Sequence, residues 1–394
     1  MQTQIKDNDI SESLQKQVKN AISAKKPLCI QGGKSKLFFG NRFSAQLLDL
    51  SQHTGIVSYE PTELCITVRA GTKLSELEAL LAEHNQILPF EPPHYPHPLE
   101  DGSNSTADTA TIGGAIATGI SGPRRAYTGS ARDAILGVEI INGDGDIVSF
   151  GGQVMKNVAG YDLSRLMVRS QGTLGIILSV SIKLLPKPAN DLTLSFSASQ
   201  DTALLFFQAL RVQQLPVTAS VWYDDKVSLR LSASELILKT SHKRLNTLLA
   251  EKFPLLKPAE KEVNSSLFWQ DIRDHTHPFF TQTDKPVWRL SLPPATKSMT
   301  QIDDALAQTQ DKPEPSQLIE WGGAQRWIRS RSPANIIHSI AQSHGGYASF
   351  FYQKREEDQT FPELAPELFK IHQQLKNKMD PHGIFNPNKM YKGL

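Results

Sequence analysis

The sequence predicts an α+β fold built from two unlike parts. Nineteen of the 25 glycines lie within residues 1–187, whereas all five tryptophans lie between residues 191 and 355. Glycine allows backbone conformations that other residues avoid, so the first part needs a freedom that the second does not. A long apolar run closes with two prolines at residues 186 and 188, which indicates a boundary. We therefore expect domains at 1–188 and 189–360, and a C-terminal segment at 361–394 that returns to the first domain.

Composition excludes several classes of protein. The 394 residues contain 42 Lys and Arg against 40 Asp and Glu, a net charge of +2 that gives no reason to expect a nucleic-acid partner. Two cysteines cannot build a zinc ribbon, an iron–sulfur cluster or a disulfide scaffold. No apolar run reaches the roughly 18 residues of a membrane span, and the polar start lacks a signal-peptide core. We expect a cytoplasmic protein whose membrane contact, if any, comes through partners.

The first part alternates helical and extended patterns. Apolar residues recur every four positions in 8–25, which predicts an amphipathic helix, and the same period predicts a helix over 74–86. A short apolar run at 27–33 predicts a strand that enters a tight glycine loop. Strands are also predicted within 55–72 and 170–188, and a hairpin around the Asn-Gly and Asp-Gly pairs within 133–152.

The second part has the pattern of an antiparallel sheet crossed by helices. Alternating apolar and polar residues predict strands in LTLSFSAS, SVWYDDKVSLRLSAS, VWRLSL and YASFFYQ. Residues 202–214 show helical period instead. These patterns predict an α+β cap domain. The tail from residue 366 predicts a helix followed by an extended, proline-rich segment.

Three glycine-bearing loops are predicted at 31–40, 111–122 and 172–175. Backbone N–H groups can approach a diphosphate closely only where no side chain intervenes, so converging glycine loops suit a dinucleotide. Turn formation or close packing is the alternative interpretation of any single loop. A P-loop is excluded because Leu28 stands where its first glycine belongs, and a Rossmann fingerprint fails because Val148 occupies its last glycine position.

The loops and their flanks carry a family resemblance. QGGKSKLFFG at 31–40, TIGGAIATGISGPRRAYTGS from residue 111, and KNVAGYDLSRLMVRSQGTLG from residue 156 resemble the FAD-binding domain of the vanillyl-alcohol-oxidase type, the PCMH fold. More narrowly, they are similar to the smaller flavin subunits of bacterial glycolate oxidases, as is the closing DPHGIFNPNKMY. The resemblance covers 25–190 and 375–392. It implies a PCMH-type two-subdomain FAD-binding fold followed by the α+β cap domain.

The resemblance also implies cofactor contacts. FAD should be bound non-covalently, because Lys34 stands where covalently flavinylated members have histidine. Gln31 replaces an arginine that is common among relatives, and Lys34 or Lys36 would compensate for its charge. Asn386 and Lys389 match the family's Asn-Pro-x-Lys ending and either approach the flavin or anchor the tail. The other implied contacts are Gly32, Gly33 and Ser35 in the first loop; Thr111, Ile112, Gly113, Gly114, Ala117, Thr118 and Gly122 in the second; Gly129, Ser130 and Arg132 along the flavin edge; Gly172, Thr173, Gly175 and Ile176 near the adenosine; and Pro89 before the ring.

Oxidation of a 2-hydroxy acid by a flavin requires a cationic clamp for the carboxylate and a base for the hydroxyl proton. The candidate clamps are Arg289, Arg326 and Arg329, and the candidate bases are His275, His277 and His344. A packing or surface role is the alternative for each histidine. The pair His275 and His277 has spacing compatible with a metal, but nothing else in the sequence supports a metal site, and we expect none.

The resemblance implies a glycolate oxidase complex that converts glycolate to glyoxylate. Its partners would be a larger flavin subunit and an iron–sulfur subunit, because this chain cannot ligate a cluster. In such a complex the larger flavin subunit is the favoured catalytic site. Two alternatives stay open: a non-catalytic flavin-fold scaffold in that complex, and a free-standing FAD-dependent oxidoreductase of another 2-hydroxy acid.

Overall fold

The computed structural model describes residues 5–95, 109–152, 162–256, 265–299, 317–352 and 359–394. The helices are α1 (Ser11–Ala24), α2 (Leu74–Glu83), α3 (Ile112–Thr118), α4 (Arg125–Thr128), α5 (Ala131–Ala134), α6 (Leu163–Met167), α7 (Gln200–Arg211), α8 (Glu235–Lys252), α9 (Ser265–Asp274), α10 (Pro278–Thr281), α11 (Ala334–Ser343) and α12 (Pro366–Met379). The strands are β1 (Leu28–Gln31), β2 (Gln46–Asp49), β3 (Ile56–Glu60), β4 (Cys65–Arg69), β5 (Gln86–Ile87), β6 (Ile135–Ile141), β7 (Ile147–Gly151), β8 (Ile176–Lys183), β9 (Leu185–Pro186), β10 (Asn190–Ser197), β11 (Val217–Tyr223), β12 (Lys226–Ala233), β13 (Val287–Ser291), β14 (Gln317–Glu320), β15 (Gln325–Arg329) and β16 (Tyr347–Tyr352).

The contacts within the chain divide it into two compact units. The first unit comprises Met1–Gly122, Gly129–Lys187 and Gln359–Leu394, and the second comprises Pro123–Thr128 and Pro188–Asp358. The changes at 187/188 and 358/359 lie beside the boundaries predicted after residues 188 and 360. The short insertion of 123–128 into the second unit has no signal in the sequence. Whether each part is an independent domain stays a prediction.

A five-stranded antiparallel sheet forms the centre of the first unit, in the order β3-β4-β8-β6-β7. Strand β8 is buried along nearly its whole length because it lies in the middle, with β4 and β6 on either side. The predicted hairpin is confirmed, since β6 and β7 pair around the turn at 142–146. Helices α1, α2 and α3 contribute Leu14, Leu77 and Ile116 to the core beside this sheet.

The second unit contains a seven-stranded antiparallel sheet in the order β10-β12-β11-β14-β15-β13-β16. Helices α7 and α8 pack on β10 and β12 through a core that includes Leu204, Leu245 and Leu229. The antiparallel sheet crossed by helices is therefore confirmed, because alternation of apolar and polar residues marks which side of each strand is buried.

The predicted loop at 111–122 is wrong over most of its length, because residues 112–118 form helix α3. Its sequence contains a capping signal that outweighs two glycines: the Thr111 side chain accepts a hydrogen bond from the Gly114 N–H at 3.3 Å. Gly119, with φ of +59°, ends the helix in the left-handed conformation that glycine favours. Gly113 serves packing, since a Cβ there would lie 2.6 Å from the Ala70 Cβ.

The C-terminal segment pairs with strand β1 of the first unit. Phe385 forms a parallel bridge with Leu28, whose N–H donates to the Ile384 carbonyl at 2.7 Å. Helix α12 and the extended tail that follows it confirm the predicted pattern. Among the described helices, none is both long enough and apolar enough to cross a membrane. Of the segments that carry the family resemblance, 156–161 lies outside the described residues.

Candidate functional site

A cavity in the first unit brings together most of the predicted cofactor residues. Its empty volume is about 810 Å³, a figure that includes space open to solvent. It is lined by Ile30, Gln31, Gly32, Gly33, Lys34, Ser35, Lys36, Leu37, Phe39, Leu50, Ala70, Thr111, Gly113, Gly114, Ala117, Thr118, Gln171, Gly172, Gly175, Ile177, Asn386 and Lys389.

The loop that follows β1 forms one wall of the cavity. Only glycine fits at position 33, because a Cβ there would lie 1.4 Å from the Thr109 carbonyl oxygen. Lys34 follows with φ of +63°, and the buried Lys36 donates from Nζ to the Ser35 hydroxyl at 3.3 Å. Close packing on Thr109 therefore accounts for Gly33, and the loop still presents its backbone to the cavity.

Helix α3 forms a second wall, and its two adjacent glycines differ in what surrounds them. A Cβ on Gly113 would meet the Ala70 Cβ at 2.6 Å and the Ala70 carbonyl oxygen at 2.8 Å. Among the described residues, a Cβ on Gly114 would meet only the Thr111 hydroxyl oxygen, at 3.2 Å. Gly114 thus leaves open a part of the cavity that a larger side chain would fill.

The third wall combines residues 171–177 with the C-terminal tail, and Asn386 joins them to β1. Its side-chain oxygen accepts from the Ile30 N–H at 2.7 Å, and its Nδ2 donates to the Gln171 carbonyl at 2.7 Å. Nearby, the buried Lys376 donates to Asp380 and to the carbonyls of Thr173 and Phe385. Asn386 therefore anchors the tail and lines the cavity, and its approach to the flavin stays a prediction.

The charge of the cavity suits an anionic ligand. Its charged lining residues are Lys34, Lys36 and Lys389, and no carboxylate occurs among the described residues that line it. The Lys36 ammonium also lies 5.6 Å above the centre of the Tyr95 ring, a cation–π contact. Several cations in a partly closed site attract a diphosphate.

Unsatisfied polar atoms provide a test of whether a dinucleotide fits. Gln171 is 5% exposed, and neither its Nε2 nor its Oε1 has a hydrogen-bond partner among the described residues. A buried polar group without a partner is unfavourable by about 1–3 kcal/mol, so a ligand with polar groups would relieve this cost. The positive charge, the space beside Gly114 and this carboxamide all fit the FAD that the resemblance implies.

The predicted contacts divide into two sets. All the predicted contacts of the first loop line the cavity, as do most of those in the second loop, Gly172, Gly175, Asn386 and Lys389. Pro89, Ile112, Gly122, Gly129, Ser130, Arg132, Thr173 and Ile176 are not among its lining residues. Ile112 and Ile176 are fully buried in the hydrophobic core, and Ser130 caps helix α5 through Asp133. Direct contact of any of these residues with FAD stays a prediction.

Several lining residues carry no signal in the sequence analysis. Leu50 and Ala70 come from the ends of separate strands, and Phe39 and Ile177 supply apolar surface. Gln171 directly precedes Gly172, but only the glycines of this motif were predicted to contact the cofactor. The signal that could have identified Gln171 is its position as a polar residue beside a glycine loop.

In the second unit, Arg326 is held by hydrogen bonds to the protein backbone. It is fully buried, and its guanidinium donates to the carbonyls of Thr296, Lys297 and Gly323. Burial lowers the pKa of Arg326 to about 10. These contacts tie strand β15 to the chain at 296–297 and support a structural role.

The candidate histidines have structural contacts as well. His275 stacks on Phe280 with ring centres 3.8 Å apart, and its Nδ1 lies 2.9 Å from the Tyr352 hydroxyl. His277 caps helix α10, where its Nδ1 accepts from the Phe279 N–H at 3.2 Å. The Nδ1 of His344 lies 2.9 Å from the Ile340 carbonyl. Among the described residues, no group of three or more His, Cys, Asp or Glu side chains is placed to hold a metal ion.

Arg289 belongs to a buried polar network on the same sheet. Its Nε donates to the Gln325 side chain at 2.7 Å, and Gln325 in turn donates to Glu320 at 3.0 Å. The guanidinium also lies 5.3 Å from the centre of the Trp321 ring. Arg329 donates to the Gln282 carbonyl at 3.2 Å, a backbone contact like those of Arg326. A catalytic role for any of these residues stays a prediction.

Comparison with known proteins agrees with this architecture. The model of an FAD binding domain matches residues 10–151. The chain is 41% identical over 390 residues to the glycolate oxidase subunit GlcE of Escherichia coli (strain K12), which covers 99% of this chain and 100% of GlcE. It is 46% identical over 90 residues to the glycolate oxidase subunit GlcD of Bacillus subtilis (strain 168), which covers 23% of this chain and 19% of GlcD.

The solved structures confirm the fold. A crystal structure of p-cresol methylhydroxylase with substrate bound matches with a TM-score of 0.70 at 14% identity, over 97% of this chain and 87% of that one. The predicted PCMH-type fold is therefore confirmed, and so is FAD as the cofactor, since the matched domain overlaps two walls of the cavity. The chain belongs to the glycolate oxidase subunit GlcE family of FAD-dependent oxidoreductases.

Proposed function

We propose that this chain is the non-covalent FAD-binding subunit of a complex that oxidises glycolate to glyoxylate. The observation that carries the proposal is the 41% identity to GlcE across nearly the full length of both chains. The cavity supports it, because its lysines and its glycine-bearing walls fit an anionic dinucleotide. Lys34 supports non-covalent attachment, since an ammonium side chain stands where flavinylated relatives have histidine.

Bound FAD would supply a hydride acceptor for the carbon that bears the hydroxyl group. The chain's own part is to hold the diphosphate near Lys34, Lys36 and Lys389, and to present backbone at Gly32 and Gly114. The apolar Leu37, Phe39 and Ile177 would keep water from that side of the cavity. Binding of the substrate carboxylate would require a cation, and the candidate clamps are still Arg289, Arg326 and Arg329.

The partners we propose are a larger flavin subunit and an iron–sulfur subunit. The printed names of GlcE and GlcD both describe subunits of a glycolate oxidase. Two cysteines in 394 residues cannot ligate a cluster, so a relay of electrons beyond the flavin needs another chain. Any membrane contact would come through these partners.

An anaerobic absorbance spectrum of the purified full-length chain tests the proposal. We expect a flavin band, with the flavin released into the supernatant when the protein is precipitated by acid. Adding glycolate together with the partner subunits should bleach more flavin absorbance than the partner subunits lose alone, because this chain contributes a flavin of its own. Absence of a flavin band after gentle purification would contradict the proposal. Bleaching by a different 2-hydroxy acid, and not by glycolate, would contradict the assigned substrate and favour the free-standing oxidoreductase.

A further inference from the structure

A buried ion pair lies behind the third wall of the cavity. Lys376 of helix α12 is 7% exposed, Asp380 is 1% exposed, and the Lys376 Nζ lies 2.6 Å from the Asp380 Oδ2. Neither residue is among the described residues that line the cavity. Any effect of this pair on a ligand in the cavity must therefore pass through the residues that the pair holds.

The Lys376 ammonium joins two segments of the third wall. Its Nζ donates to the Thr173 carbonyl at 2.8 Å, in the third glycine-bearing loop, and to the Phe385 carbonyl at 2.7 Å, in the C-terminal tail. An ammonium has three N–H donors, and Asp380 accepts from the third, so all of them have partners. One side chain thus fixes the separation of the loop and the tail.

The residues next to these two carbonyls reach the cavity. Gly172 precedes Thr173 in the chain and lines the cavity. Asn386 follows Phe385 and lines the cavity as well. The loop and the tail also pack closely here, since a Cβ on Gly172 would lie 2.8 Å from the Asn386 Nδ2. A movement of the loop relative to the tail would therefore change the shape of the cavity.

Asp380 holds the tail in a second way. Its Oδ2 also accepts from the Phe385 N–H at 2.8 Å, and its Oδ1 accepts from the Ile384 N–H at 3.2 Å. A buried ion pair adds little stability over apolar side chains of similar volume, because both charges lose their water. Placement of the two backbone segments therefore accounts for the pair better than stability does.

We propose that Lys376 is a positioning residue for FAD: its ammonium holds the third glycine-bearing loop and the C-terminal tail at the separation that the cofactor requires. This inference rests on the proposed function, because it takes the cavity as the site of FAD. Lys376 acts without touching the cofactor. Without the ammonium, FAD binding would include the entropic cost of ordering the loop and the tail.

The test compares Lys376→Met/Asp380→Asn with Lys19→Met/Asp146→Asn in the full-length chain. The control makes the same changes at an exposed ion pair of the same unit. Changing both partners avoids a buried carboxylate without a counter-charge. FAD would be removed, and its dissociation constant measured at low temperature by quenching of flavin fluorescence. Circular dichroism gives the folded fraction, which corrects the constant because unfolded chains weaken the apparent affinity only in proportion to their number.

We expect Lys376→Met/Asp380→Asn to bind FAD about fivefold or more weakly per folded chain, because two hydrogen bonds from a charged donor are lost. The control at Lys19 and Asp146 should bind within about twofold of the parent. A merely structural role would lower the folded fraction and leave the corrected dissociation constant unchanged. A loss of affinity smaller than about fivefold would therefore overturn the inference.

Rescue by Lys376→Arg completes the test. Arginine keeps a positive charge and N–H donors for the two carbonyls, so this variant should bind FAD more tightly than Lys376→Met/Asp380→Asn. Affinity no better than that of the double variant would assign the effect to packing and overturn the inference. Failure of both variants to fold would make Lys376 a folding residue, with the same consequence. A parent chain that binds no FAD would contradict the proposed function instead, so the two failures are distinguishable.

Discussion

The cavity of the first unit and the seven-stranded sheet of the second contain buried polar side chains in opposite conditions. In the sheet, Glu320 accepts from the Trp327 indole at 2.6 Å and from Gln325 at 3.0 Å, and Arg326 is bound to carbonyls. In the cavity, the Gln171 carboxamide has no partner among the described residues, and open space adjoins Gly114. The fold supplies partners for the buried polar groups of the sheet, whereas the cavity contains a buried carboxamide for which the described residues supply none.

The largest effect is expected for Arg326→Met. The change removes the donors to the carbonyls of Thr296 and Lys297, so the free energy of unfolding should fall by about 2–4 kcal/mol. Urea unfolding followed by tryptophan fluorescence measures this, because all five tryptophans belong to the second unit.

Arg331→Met is the control for that change. Arg331 is paired with Asp284, and both side chains are at least half exposed, so the expected change is within about 0.5 kcal/mol. If Arg326→Met is as stable as the parent but the complex loses turnover, Arg326 is a catalytic residue. The contrast between the structural polar groups of the sheet and the ligand-binding groups of the cavity would then fail.

Substitutions at the adjacent glycines Gly113 and Gly114 should have effects of intermediate size that differ in kind. Gly113→Ala should destabilise the FAD-free chain by about 1–3 kcal/mol, because its Cβ meets the backbone oxygen and the Cβ of Ala70. Gly114→Val should leave the FAD-free melting temperature near that of the parent and prevent retention of FAD through gel filtration. Equal FAD retention by Gly114→Val and the parent would reject helix α3 as a cofactor wall.

The smallest effect concerns pH and His277. Burial lowers the pKa of His277, and the nearby Asp271 opposes that shift only in part. The unfolded chain therefore binds more protons than the folded one just below pH 6.5, so acid reduces the free energy of unfolding. His277→Asn keeps an acceptor for the Phe279 N–H without titrating. The variant should lose less stability than the parent between pH 7 and pH 5.5 in urea unfolding; an equal loss would contradict this assignment.

Sequence patterns predicted the strands and most helices well, because burial of one face imposes a period on the residues. Helix α3 was missed since two glycines suggested a loop, although Thr111 supplied a cap. The role of Arg326 was hidden because its acceptors lie about 30 residues away in the chain. Gln171 was missed for a related reason: its neighbours Asn386 and Lys389 are brought beside it only by tertiary folding.

The pairing of the tail with strand β1 also determines when, during protein synthesis, the third wall of the cavity can form. The hydrogen bond between Ile30 and Asn386 joins residues 356 positions apart. At about 5–20 residues per second, the ribosome needs about 20–70 s to make the chain between them. Throughout that interval the third wall is incomplete. The cavity that the structure shows is therefore complete only once residue 386 has been translated.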